Sequence, residues 1–237
     1  MRSRIIGSLI VRDNFVVQSF GFKKYLPVGS VKICCENLDN WNVDEINITC
    51  IDRSTNNLGP DFELIKNISN SGISTPITYS GGIRNLNDAE MVIANGADRI
   101  CINNLFMTNS SYIKNIAYSI GSQSLLVSIN IKKKDNRFYW YNYLNKKLST
   151  IDSIPLNLTD LASELIITDV DNEGSDNKFD LDIIEIVKKK FPKKKLIFFG
   201  GITKKNKIGL IKKKIKNSSF MIGNFFSHKE LANWNFK

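Results

Sequence analysis

The sequence is poor in the residues that most often hold metals. It has one histidine, His228, and four cysteines, Cys34, Cys35, Cys50 and Cys101, with no C-x-x-C pair among them. A Cys/His zinc site is therefore not expected, and neither is any other metal or cofactor. Cys50 and Cys101 stand inside apolar, strand-like runs, where cysteine serves as a small core residue. The thiols read as structural groups in a reducing compartment, and His228 reads as a surface or loop residue rather than a ligand. Long apolar runs are missing too. Stretches such as Leu125 to Ile129 are strand-sized, far short of the ~20 residues that cross a bilayer. The opening MRSRIIGSLIVRDN is cut by Arg12 and Asp13 and lacks the longer apolar stretch and small-residue cleavage site of a signal peptide. A soluble, cytoplasmic chain without a membrane partner is expected.

Acidic residues are in deficit: 33 Lys and Arg face 23 Asp and Glu, for a net charge of +10. Much of the excess lies in KKKFPKKK (188–195) and KKNKIGLIKKKIK (204–216). A nucleic-acid surface would interleave aromatic residues on the same face. These lysines instead alternate with Ile and Leu beside helical segments, so nucleic acid is not an expected partner. The runs read either as solvated helix faces or as a field that attracts phosphorylated substrates or an acidic partner.

What is present is regular. Eight strand-like runs, at 4–11, 45–51, 76–81, 99–103, 125–131, 164–170, 195–201 and 220–224, alternate with amphipathic stretches such as 61–72 and 85–97. Near-continuous apolar strands alternating with helices indicate a parallel α/β fold. Eight such units in 237 residues favour one closed (β/α)8 TIM barrel over an open sheet. An internal repeat supports the count. Gly81-Gly82 and Gly200-Gly201 are 119 positions apart, Glu45 and Glu164 are 119 apart, and Asn104 and Asn224 are 120 apart, as are Ile10 and Asn130. One spacing of half the chain implies two half-barrels, about 1–120 and 121–237, of a single domain. The aromatic stretch FYWYNY (138–143) fits a β-hairpin or a small lid.

In such a barrel the functional residues sit at the carboxyl ends of the strands. Gly81-Gly82 after the third strand goes with Asn103-Asn104 after the fourth. Gly200-Gly201 after the seventh goes with Gly223-Asn224 after the eighth, and Glu173-Gly174 closes the same side. Glycine lets the backbone approach an anion, and a following helix N-terminus favours negative charge. One Gly-Gly alone would be only a tight turn. Two at the half-barrel spacing predict two phosphate cups facing a ligand with a phosphate at each end.

The segments RIIGSLIVRDNFVVQS, DEINITCID, SGGIRN, NGADRICIN, VDNEGSDNKFD and FFGGI, in this order over essentially the whole chain, resemble the cyclase (HisF-type) subunit of imidazole glycerol phosphate synthase. That family makes histidine precursors in a lyase reaction. Its barrel docks a glutaminase subunit, as a heterodimer, on the amino-terminal face and conducts ammonia to a substrate at the carboxyl face. The resemblance assigns a salt-bridged ammonia gate to Arg4, Glu45, Arg99 and Glu164, although a purely structural charge cluster closing the barrel stays open. It assigns Asp98 to the glutaminase interface. The family's two catalytic aspartates fall on Ile10 and Asn130, and its basic substrate-binding residue falls on Gln18. An aliphatic group cannot transfer a proton and a carboxamide is no useful base, so the cyclase chemistry is expected to be lost.

Ile10, the segment FKKYLPVG (22–29) and the segment LGPDFELI (58–65) look like a branch serving glycosyl amidation in bacterial surface polysaccharides, including legionaminic-type acetamidino sugars. That branch hands ammonia to a separate ATP-dependent N-acetylsugar amidotransferase. Three readings follow: an ammonia-channelling subunit for sugar amidation, a histidine-pathway cyclase with displaced acids (Asp13, Asp52, Asp169 or Asp171, with the last two at the end of strand six best placed), and a non-catalytic phosphate-binding scaffold.

Overall fold

A computed structural model describes residues 3–108 and 110–226 of the chain, and His228 lies outside them. Along the chain the strands are β1 (Ile5–Arg12), β2 (Phe15–Phe20), β3 (Lys24–Ser30), β4 (Glu45–Cys50), β5 (Ile77–Ser80), β6 (Arg99–Ile102), β7 (Leu125–Lys134), β8 (Arg137–Asn142), β9 (Lys147–Thr150), β10 (Glu164–Asp169), β11 (Lys195–Phe199) and β12 (Ser219–Ile222). Eight of them, β1, β4, β5, β6, β7, β10, β11 and β12, coincide with the eight expected runs. Each pairs in parallel with the next, β7 pairs with β10, and β12 pairs back onto β1. The sheet is thus closed into a barrel without a free edge.

Strand alternation builds two cores. Outward-facing Leu9 and Val11, Ile46 and Ile48, Leu165 and Ile167, and Leu196 and Phe198 pack under the helices. Inward-facing Ile6 and Ile10, Cys101, Leu126, Ile166, Ile197, Phe199 and Met221 fill the lumen. Both faces being covered explains why the strands read as unbroken apolar runs. Burial pushes the Cys50 and Cys101 thiols up to about 12, as expected of inert core cysteines, and all four cysteines are free.

The two quoted helical stretches become Phe62–Ser69 and Leu86–Ala94. Each is started by a side-chain cap: Asp61 accepts from the Leu64 amide at 3.0 Å and Asn85 from the Asp88 amide at 2.9 Å. The lysine runs end the helices Asp182–Lys190 and Lys205–Lys214, whose buried residues are Ile183, Ile184, Val187 and Ile211. Lys188, Lys189 and Lys212 to Lys214 are exposed, and as cations in the last turn they complement the helix dipole. No helix among the described residues is long and apolar enough to cross a membrane.

Two β-hairpins extend the barrel at its carboxyl end, one per half. β1 continues through Asp13-Asn14 into antiparallel β2 and β3, and β7 continues through Asp135-Asn136 into β8 and β9. All four turn residues have positive φ, at 50° and 66° in the first turn and 48° and 57° in the second. That is the two-residue turn whose twist matches paired strands. FYWYNY therefore lies in a hairpin, as anticipated. The segment 22–29 is mostly strand β3, paired antiparallel with β2.

Candidate functional site

The carboxyl end of the barrel opens into a cavity of about 540 Å³. Ile10 and Asn130 both line it, and so do Gly81, Gly82, Asn103 and Asn104. Gly81 has φ 124°, and a Cβ there would stand 2.2 Å from the carbonyl oxygen of Cys50, the last residue of β4. Gly200 repeats this with φ 102° and 2.4 Å to the carbonyl of Asp169, the last residue of β10. No other residue fits either position, so the glycine repeat is a repeat of backbone geometry. The Gly82 amide donates to Ser54 Oγ at 3.0 Å. Asn103 donates to the Ser128 carbonyl at 2.7 Å. The Oδ1 atoms of Asn103 and Asn104 are buried without a protein partner among the described residues.

The cavity wall also carries cations that the sequence reading did not single out. Arg12 lies 4.9 Å over the Tyr25 ring and Lys132 lies 4.8 Å over the Tyr141 ring. Lys23 and Lys146 line the wall as well. Arg12 and Lys132 are 120 positions apart, so each half supplies one cation stacked on its own hairpin.

The second set of glycines does not face this cavity. Gly174, Gly200, Gly201, Gly223 and Asn224 are absent from its lining, and Gly174 and Asn224 lie against Ser19 of the first hairpin. Asn224 accepts from the Ser19 amide at 3.2 Å and donates to the Ser19 carbonyl at 2.7 Å. Glu173 accepts from Ser19 Oγ at 2.9 Å and from the Phe22 amide at 3.0 Å, and the Gly21 amide donates to the Glu173 carbonyl at 2.9 Å. The expectation of two glycine sets open on one mouth is therefore corrected: one set lines the cavity, and in the other Gly174 and Asn224 lie against the Ser19 backbone of the first hairpin.

Burial pushes the Glu173 carboxyl above its usual range, against the hydrogen bonds donated to it by Phe22 and Ser19. A carboxyl raised in the fold binds its proton more tightly there than in the unfolded chain. Its contribution is therefore complete below the ordinary glutamate range and is lost as pH rises through the folded value. Glu173→Gln should remove this part of the pH dependence. Urea midpoints at acidic and neutral pH should converge in the variant relative to the parent, and an unchanged difference would refute the assignment.

Asp169 and Asp171, expected to be the best-placed substitute acids, do not line the cavity either. Asp169 is committed to its own loop, accepting from Asn172 Nδ2 at 2.9 Å and the Asp180 amide at 2.8 Å. Asp171 is exposed and accepts from the Lys133 amide at 2.8 Å. The carboxylates on the lining are Asp13 and Asp52, and Asp52 accepts from the Asp13 amide at 3.0 Å.

At the other end of the lumen Arg4, Glu45, Arg99 and Glu164 come together. Arg4 bonds Glu45 at 2.7 Å and Glu164 at 2.5 Å; Arg99 bonds Glu45 at 3.2 Å and Glu164 at 2.7 Å. Each arginine bridges both glutamates, so the four side chains close an alternating ring across the barrel. Glu45 and Glu164 are 2% and 7% exposed, deep enough that the charges need their partners. Thr78 adds a hydrogen bond to Glu45, and Ser163 accepts from Arg99 at 2.9 Å. Asp98, beside Arg99, is exposed, and its carboxylate accepts from the Ile77 amide at 2.7 Å, which fixes the start of β5.

Comparison with known proteins accords with this architecture. The family model described as "Histidine biosynthesis protein" matches residues 4–232. A Campylobacter jejuni protein named "Putative imidazole glycerol phosphate synthase subunit hisF2" is 31% identical over 209 residues, covering 86% of this chain and 82% of its own. A Vibrio vulnificus protein of the same name is 31% identical over 190 residues, 79% of this chain and 70% of its own. A Thermotoga protein named imidazole glycerol phosphate synthase subunit HisF is 29% identical over 191 residues, covering 79% and 75%.

Proposed function

The chain belongs to the histidine biosynthesis protein family, and from that premise we propose that it is the ammonia-conducting, synthase-type subunit of a glutamine amidotransferase complex whose own cyclase chemistry has been lost. The observation that carries the reading is the contrast between the two ends of one lumen. The ring of Arg4, Glu45, Arg99 and Glu164 is complete at one end, while Ile10 and Asn130 stand in the cavity at the other, where the family resemblance places proton-transferring aspartates. A glutaminase subunit docks on the ring face, with Asp98 at its edge, and ammonia enters through the ring. A phosphorylated ligand binds the open cup at Gly81, Gly82, Asn103 and Asn104. Displacement of the first hairpin exposes the second cup at Gly174, Gly200, Gly201, Gly223 and Asn224. The ammonia serves a separate ATP-dependent N-acetylsugar amidotransferase that amidates a surface sugar.

Co-expression with a glutaminase subunit from the same organism tests the complex. The expected result is co-purification and glutamine hydrolysis faster than by the glutaminase alone. Absence of both would favour a phosphate-binding scaffold and end the conduit reading. A second reading, a histidine-pathway cyclase with displaced acids, is favoured by one observation: Asp13 and Asp52 line the cavity. Proton transfer there would require one of them to reach the substrate.

A further inference from the structure

The lumen between the ring and the cavity is lined unevenly. On β7, β10, β11 and β12 its inward side chains at mid-height are Leu126, Ile166, Ile197 and Met221, all apolar. The opposite wall is polar. Along β4, Glu45, Asn47 and Thr49 alternate with the outward Ile46 and Ile48, so all three point inward. Ser8, between inward Ile6 and Ile10 on β1, is the register partner of Asn47, and Thr78 on β5 is its partner on the other side. One strand thus carries a member of the ring, a mid-height carboxamide and a cavity residue at successive inward positions.

Asn47 is 2% exposed and Ser8 is 6% exposed. Asn47 donates to Thr49 Oγ1 at 2.9 Å, which turns its carbonyl away from that bond. Asn47 Oδ1 and Ser8 Oγ are both buried and find no protein partner among the described residues. A buried polar atom left unpaired is destabilising, and here two of them stand on paired strands. Asn47 is also part of the cavity lining.

We infer that Ser8 and Asn47 form a binding site for one small neutral hydrogen-bond donor, water or ammonia, midway along the lumen. Asn47 Oδ1 can only accept, so the occupant must donate to it, while the Ser8 hydroxyl can accept or donate. The facing wall of Leu126, Ile166, Ile197 and Met221 offers a cation no counter-charge, and this selects ammonia over ammonium. That the site holds a molecule rests on this geometry alone; its use as a station for ammonia rests on the conduit reading.

A high-resolution crystal structure of the full chain tests it, with and without a hydroxylamine soak at neutral pH, where that two-atom amine is uncharged. The expected result is one sphere of density about 3 Å from Ser8 Oγ and Asn47 Oδ1, becoming elongated after the soak. Asn47→Leu should lose the density while melting at the same temperature as the parent or higher, since it also removes an unpaired carbonyl. An empty site, or Ser8 and Asn47 bonded to each other, overturns the inference. A sphere that hydroxylamine never replaces overturns the role for ammonia. If hydroxylamine enters but the glutaminase is not stimulated, the site stands and the conduit reading falls.

Discussion

Arg99→Met is expected to lower the unfolding free energy by about 3–5 kcal/mol, read as a drop in the urea midpoint. The cause is electrostatic. Arg99 bridges Glu45 and Glu164 at 3.2 and 2.7 Å, and without it Arg4 alone faces two buried carboxylates. A charge held away from water without its counter-charge costs far more than the intact ring contributes. The charge-balanced double variant, Arg99→Met with Glu164→Leu, should recover much of this loss, with a coupling of about 0.5–3 kcal/mol between the two sites. That double variant also separates a gate from a charge cluster that merely closes the barrel. A folded barrel with half the ring removed should lose stimulation of the glutaminase and delivery of ammonia. Full retention of both would make the ring structural.

The eight barrel strands and the glycine repeat were legible in the sequence because each rests on local chemistry. Apolar runs mark strands covered on both faces, and Gly81 and Gly200 are required by backbone that no side chain tolerates. The contact of Asn224 with Ser19 was not legible, because it depends on a hairpin formed 205 residues from Asn224. A signal for that hairpin was present: the dipeptide Asp-Asn follows the barrel strand in each half, at 13–14 and 135–136, with both residues in the left-handed region. Asp169 looked like the best-placed substitute acid from its position at a strand end. Its three bonds to the following loop, from Asn172 Nδ2 and the Asn172 and Asp180 amides, come from chain folding back, which spacing does not reveal. Ser8 and Asn47 were missed for the opposite reason: each reads as an ordinary strand residue, and only the pairing of β1 with β4 brings their unpaired oxygens together.

The purified barrel, given ammonia and the ribulosyl substrate of the histidine pathway, should form no imidazole glycerol phosphate above the uncatalysed rate. General acid–base catalysis contributes about 10²–10⁴-fold per positioned group, and the two positions that would supply it hold groups that exchange no proton near neutral pH. Restoring one of them is not expected to suffice. Asn130→Asp should fold, because Asn130 is half-buried beside Ser128 and Thr168 and faces the cavity, but its partner across the mouth would still be Ile10. Ile10→Asp is the harder change. Ile10 is 4% exposed and packs in the inner cluster with Val17 and Phe199, so a carboxylate there would lose its hydration without gaining a partner and would titrate above the usual range. The apolar packing around Ile10 therefore fits a mouth that accommodates an aliphatic residue there. Measurable product from the unmodified chain would show that Asp13 or Asp52 does the proton transfer, and removing each in turn would say which; the reading of a conduit without its own chemistry would then fail.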